Sequence, residues 1–294
     1  MRRLIILLSL ILIVVISGCG GQQTIQTSKV SDGIVIKDFS FDSSTVYEGD
    51  SVGLNLELQN VGGVEGTLES IIVYGGLNFY ESVDLSKINK KLSPSAPEVN
   101  FEGDSRSIRL KLNAPTVTAE TTYSYSTRVV YKYKTQYTGT LRVVTDTYLE
   151  TLPESERQNL LESNGIASSS VTGGPLSVTP MKGRNFIVSE SEGPSSVVFQ
   201  LNNVGSGYPS NSDTINENSK YNVEILTYSG FTGCDSYGSK IVKLSGGKGR
   251  LFNCTFPLSS NIINKEDIIF TITFDYYYYL DGITSITVAP LPGD

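Results

Sequence analysis

Apolar and polar positions alternate with a period of two through most of this chain, and one such stretch occurs twice. In Ser51–Gly62 (SVGLNLELQNVG), Val52, Leu54, Leu56 and Leu58 share one face. Gly53, Asn55, Glu57 and Gln59 share the other, and the chain then turns at Asn60-Val61-Gly62. In Ser195–Gly205 (SSVVFQLNNVG), Val197, Phe199 and Leu201 form the inner face before Asn203-Val204-Gly205, 143 residues on. Strict alternation of this kind predicts half-buried β-strands.

The neighbouring segments fall into register around these two strands. In the first half, strands are predicted at Ile34–Phe41, Leu68–Tyr74, Ile108–Leu112, Tyr123–Lys134 and Thr138–Thr145, separated by turn signals such as Glu48-Gly49-Asp50 and Pro115. Val83–Val99 reads as a connection with at most a short strand. The second half repeats the plan: strands near Leu176–Met181, Phe186–Val188, Tyr221–Tyr228, Arg250–Phe256, Ile268–Tyr279 and Ile283–Val288, with Pro257 answering Pro115. On Tyr123–Lys134, residues Tyr125, Thr127, Val129, Tyr131 and Tyr133 are expected to face inward; on Ile268–Tyr279, so are Ile268, Phe270, Ile272, Phe274, Tyr276 and Tyr278. Thr151-Leu152-Pro153-Glu154 has capping-box spacing for a short helix docked through Leu160 and Leu161, and Asn164–Pro175 is Ser- and Gly-rich like a linker. The expected fold is all-β: two tandem immunoglobulin-like (Greek-key) β-sandwiches at 33–149 and 176–290, independent of each other and joined by a hinge at 150–175 that holds the short helix.

Composition narrows the chemistry. The 294 residues contain no His and no Trp, which excludes Ser-His-Asp and Cys-His catalysis and a His-ligated zinc. The net charge of −7 argues against nucleic acid, whose binding rests on Lys and Arg neutralising phosphate. No catalytic residues, cofactor or resident metal are expected. The acidic turns Glu48/Asp50 and Glu102/Asp104 and the Asn211–Asn218 loop offer oxygens for calcium, but they lack EF-hand spacing and are explained by turn formation.

The first 19 residues stand apart from the fold. Arg2 and Arg3 precede an apolar run from Leu4 to Ile16 that is broken only by Ser9, the layout of a secretory signal and short for a membrane span. Ile16-Ser17-Gly18-Cys19 resembles the lipobox of prokaryotic lipoproteins, with Ile in place of the usual Leu. The resemblance implies that Cys19 becomes the lipidated first residue of the mature chain. The alternative is an uncleaved anchor helix with an incidental cysteine. Residues 20–32 read as a flexible tether. With Cys19 assigned to lipid, Cys234 and Cys254 are left to pair in the oxidising exterior, the alternative being two buried thiols.

The strand ending in Asn-x-Gly after a Glu/Pro-Gly-Asp-type turn resembles CARDB-type and related immunoglobulin-like modules of archaeal and bacterial surface proteins. Asn60-Val61-Gly62 and Asn203-Val204-Gly205 carry the likeness, with Glu48-Gly49-Asp50 and, loosely, Glu192-Gly193-Pro194. The resemblance implies display, adhesion or spacing at the cell surface and brings no catalytic residues. The expected protein is therefore a non-enzymatic, membrane-anchored lipoprotein on the extracellular face of the membrane, binding a surface protein or glycan or acting as a spacer. Two alternatives stand beside it: a carbohydrate-binding module that uses Tyr277 and Tyr279, expected to project outward together, and a structural subunit that assembles by strand addition. Asn253-Cys254-Thr255 is an N-glycosylation sequon, with Asn253 on the outward face of a core strand.

Overall fold

The computed structural model describes residues 32–76, 79–163, 165–181, 187–188, 196–214, 216, 218–256 and 264–292. The signal-like segment, Cys19 and the tether up to residue 31 lie outside the described residues, as does the Glu192-Gly193-Pro194 turn. The first half contains β1 (Ile34–Phe41), β2 (Thr45–Tyr47), β3 (Ser51–Asn60), β4 (Gly66–Gly75), β5 (Phe79–Ser82), β6 (Lys91–Leu92), β7 (Ser105–Asn113) and β8 (Thr121–Thr145). Helices α1 (Asp146–Thr151) and α2 (Glu154–Leu161) follow. The second half contains β9 (Ile166–Val171), β10 (Leu176–Pro180), β11 (Ile187–Val188), β12 (Ser196–Asn203), β13 (Tyr208–Ser210) and β14 (Asn222–Ser229). It ends with β15 (Gly233–Asp235), β16 (Ile241–Lys243), β17 (Gly249–Thr255) and β18 (Lys265–Ala289).

The chain is mostly strand, in several antiparallel sheets that form no barrel. A three-stranded sheet runs β1-β3-β7, and a four-stranded sheet runs β10-β12-β17-β15. Both pack against one 11-stranded sheet whose main path is β16-β14-β18-β8-β4-β5. The strand faces follow the alternation: Leu54, Leu56 and Leu58 of β3 and Val197, Phe199 and Leu201 of β12 are all buried.

The sequence differs from the structure at the ends of the two longest strands. The expected breaks after Lys134 and after Tyr279 do not occur. β8 and β18 each run 25 residues. They pair antiparallel at 24 positions, from Val144 opposite Lys265 to Thr121 opposite Val288. Thr135-Gln136-Tyr137 keeps the period of two, with Thr135 and Tyr137 buried, so nothing in the backbone calls for a turn. Asp281-Gly282 looks like a turn locally but lies flat in the strand. Its missing side chain makes room: a Cβ at Gly282 would sit 3.0 Å from Thr127 and 3.2 Å from Ile36.

The two halves are therefore not separated by a hinge. Each long strand starts in the layers of its own half and finishes in those of the other. The second part of β8 places Tyr137 5.7 Å from Phe199 and 5.5 Å from Phe270, ring centre to ring centre. The second part of β18 places Ile286 in a cluster with Val52, Leu54, Val73, Leu112 and Tyr125 of the first half. Two short strands repeat the exchange: β2 pairs in parallel with the end of β18, and β11 with the end of β8. The expected hinge is also structured otherwise. Thr145, not Thr151, caps a first helix through Tyr148 N–H, and Pro153 starts the second without a side-chain cap. The Ser-rich linker forms β9 on β8, where hydroxyls face each other: Thr138 and Ser170 lie 2.8 Å apart.

At the centre of the exchange Tyr131 pairs with Tyr278, and Tyr133 with Tyr276. The ring centres are 5.6 and 6.3 Å apart, and all four side chains are buried. The repeated motif ends here. The Asn60 amide donates to Val64 O, and the Asn203 amide to Gly207 O, at 2.8 and 2.9 Å. Val64 N–H donates to the Tyr133 hydroxyl, and Gly207 N–H to the Tyr278 hydroxyl. The motif glycines admit those hydroxyls: a Cβ at Gly62 would lie 2.0 Å from Tyr133 Oη, and one at Gly205 2.5 Å from Tyr278 Oη. The same bonds recur in both halves, as the repeat in the sequence implied.

Asn60 also donates to Leu92 O at 2.8 Å and accepts from Gly62 N–H at 3.1 Å, and it is fully buried. Asn60→Ala would strand three main-chain groups, each costing about 1–3 kcal/mol unmet. A loss of about 3 kcal/mol is expected in denaturant titration, against about 2 kcal/mol for Asn203→Ala, which is half-buried and leaves two groups unmet, Gly207 O and the Tyr278 hydroxyl. Equal losses would mean that the two motifs are not used as described.

The Cys234–Cys254 disulfide is present. It joins β15 to β17 at directly paired positions, and both cysteines are buried. Cys254 faces inward with Phe252 and Phe256, while Asn253 is exposed.

Candidate binding site on the outer face of the shared sheet

The outer face of the large sheet, turned away from the other layers, carries the polar positions of β4, β8 and β18. Tyr277 and Tyr279 both point this way, but they do not form an open aromatic face. Tyr279 is 1% exposed, because β13 lays Tyr208 flat on it with ring centres 5.3 Å apart and planes 1° apart. Its hydroxyl donates to Ser212 O at 2.8 Å. The Lys220 ammonium sits over the Tyr208 and Tyr221 rings, 5.1 Å from each. β13 and the loop after it thus cover Tyr279, one of the two tyrosines that the sequence leaves open. Tyr277 is half-buried, with the Lys132 ammonium 5.6 Å from its ring centre.

The tyrosines that reach solvent are others. Tyr80, Tyr74, Ser126 and Ile283 form one row across β5, β4, β8 and β18. Tyr80 and Ile283 are 68% and 77% exposed. Beside the row, Arg128 grips Asp281 through two bonds of 2.7 and 2.9 Å. Alternation counted from the buried Leu68 places Tyr74 inward, and the bulge between Leu68 and Ser70 turns it outward.

No protein-family model matches this chain, and no curated protein matches it.

On the same face, further along β8, a cleft of about 560 Å3 opens in the sheet. Val64 and Glu65 line one side with Thr67 of β4; Lys132, Lys134 and Gln136 of β8 line the other, with Thr273 of β18. It exists because β8 changes neighbours here. β4 stays paired to β8 as far as Lys132, and β9 takes over at Tyr137. Gln136 is still held by Thr172 through two bonds of 2.9 Å. Main-chain groups on an antiparallel strand alternate in direction. Arg142 N–H bonds Gly165 O on the β9 side, whereas Thr145 N–H bonds Asn264 O on the β18 side. Lys134 shares the parity of Arg142, so its N–H and C=O point into the cleft, where the described residues offer no partner.

The charges around the cleft are mostly committed. Lys132 binds Asp275 at 3.1 Å, and that bond holds its ammonium above the ordinary lysine pKa. Glu65 binds Lys91 at 2.9 Å. Lys134 is exposed and makes no ion pair among the described residues.

The acidic turns serve the main chain. Glu48 accepts from Val117 N–H, Asp50 from Tyr47 N–H, and Asp104 from Ser93 N–H. The Asp104 carboxyl is held below its usual pKa by that bond. Among the described residues, no three carboxylates, cysteines or histidines gather as metal ligands.

Proposed function

We propose that this protein is a non-enzymatic, surface-anchored binding protein that presents the outer face of its shared sheet to a component of the cell envelope. The observation that carries this reading is the cleft, which is open in one repeat and closed by stacked tyrosines at the equivalent place in the other. At this place one repeat keeps a polar hollow that its twin fills with aromatic rings, and such a hollow points to recognition. Spacing is the weaker role, because the expected spacer is a row of two independent units and β8 and β18 join them in one sheet. The lipobox-like Ile16-Ser17-Gly18-Cys19 supports anchoring by lipid on Cys19, and the Asn-x-Gly strands support CARDB-like, immunoglobulin-like kinship for each repeat. Among the described residues, no helix is long and apolar enough to cross a membrane.

Cys19→Ser tests both parts of the reading. The variant is expected in the soluble fraction, at a mass without lipid, and to sediment saturably with purified envelope when added back. Unchanged membrane attachment would overturn the lipid anchor. Absent or non-saturable sedimentation would overturn the binding role.

A further inference from the structure

The two repeats act as internal controls for each other. Glu65 stands where the second repeat has Tyr208, and Lys134 where it has Tyr279, at offsets of 143 and 145 residues. In the second repeat those positions form a stacked pair, Tyr279 buried beneath a half-buried Tyr208. In the first they flank the open cleft. We infer that the cleft binds a carboxylate-bearing sugar, a uronic acid unit of an envelope polysaccharide, with the Lys134 ammonium on the carboxylate and the Lys134 main chain, Gln136 and Thr273 on the hydroxyls.

The chemistry of the walls selects this ligand. The cleft offers donors and acceptors close together: one free main-chain N–H and C=O, an amide and threonine hydroxyls. Such a set fits a compact ligand rich in hydroxyls, which both donate and accept. An acidic peptide added as a strand fits less well, because only one residue of β8 has main-chain groups to spare, and a strand needs a longer row of them. Among the described residues that line the cleft, the one uncommitted charge is positive, since Lys132 is neutralised by Asp275 and Glu65 by Lys91. A ligand with one negative charge completes it.

This inference rests on the surface-binding reading, and the test separates the two. The full chain in detergent micelles is titrated by calorimetry with a glucuronate-containing disaccharide, its neutral glucose counterpart and an acidic tetrapeptide. Amide shifts are followed by NMR. The uronate sugar is expected to bind at least tenfold tighter than the neutral one, the scale of one charge-assisted hydrogen bond, and to shift the Lys134 and Gln136 amides. Lys134→Gln, an exposed change that should leave the melting curve unaltered, is expected to erase the difference. Lys111→Gln, exposed on β7 in the three-stranded sheet and away from the cleft, is expected to keep it. Equal affinity for the two sugars, no effect of Lys134→Gln, or tighter binding of the tetrapeptide would each overturn the inference. If envelope sedimentation stays saturable in any of those cases, the binding role stands and only the ligand class falls.

Discussion

Residues 32–163 expressed alone are expected to form a two-fold dimer rather than a folded monomer. Without β18, the inner face of β8 beyond Tyr133 loses its cover. Tyr137, Leu141 and Val143 are all buried in the intact chain, and exposing such side chains costs roughly 1.5–3 kcal/mol each. The 24-position edge of β8 would also lie open, a template for pairing with another strand. The best available partner is a second β8. β18 is the repeat counterpart of β8, so the edge that receives it is nearly self-complementary, with the Tyr131 and Tyr133 rings able to meet their copies across a two-fold axis. Sedimentation equilibrium should show a dimer whose dissociation depends on concentration, and mixing with residues 165–294 should replace it by a one-to-one complex. A cooperatively folded monomer of either half would contradict the exchanged-strand description.

Alkaline pH is expected to unfold the protein steeply. Tyr131, Tyr133, Tyr276 and Tyr278 are buried together, and burial raises every one of their pKa values, that of Tyr133 to about 12. A phenol in the unfolded chain loses its proton near 10. Because the folded values are higher, the stability these groups contribute is complete below pH 10 and is lost as the pH rises toward the folded values. For Tyr133 alone the window from about 10 to about 12 is worth roughly 2.7 kcal/mol. Four such groups erode stability at up to about 5 kcal/mol per pH unit, comparable to a domain's whole margin of about 5–15 kcal/mol. Phenolate absorbance should therefore rise for these tyrosines in one cooperative step together with the loss of circular dichroism. A gradual rise in absorbance with secondary structure intact would show that the centre is open to solvent.

Much of this was legible locally. The bounds of β1, the inward faces of β3, β12 and β18, the duplicated Asn-x-Gly turn and the cysteine pairing all follow from alternation, turn chemistry and residue count. What escaped was non-local. Asp281-Gly282 carries a turn signature, and only the residues packed over Gly282 make it a strand. Tyr279 lies on the outward parity of its strand, and only the docking of Tyr208 from an insertion buries it. The cleft is written in no motif. It arises where one strand hands over to another, and Lys134 becomes a candidate only once its neighbours are known to be paired elsewhere.

The exchange of β8 and β18 also orders events in time. Thr121 waits for Val288, and Val144 for Lys265, partners 167 and 121 residues further along the chain. Contacts that distant form slowly, because a long loop must close before they contribute anything. As the chain emerges from its N-terminus, the first set of layers cannot be completed until the last strand has appeared. A single chain thus completes its fold only once β18 has been made, and a product truncated before β18 would keep an open sheet until another chain supplied the missing strand.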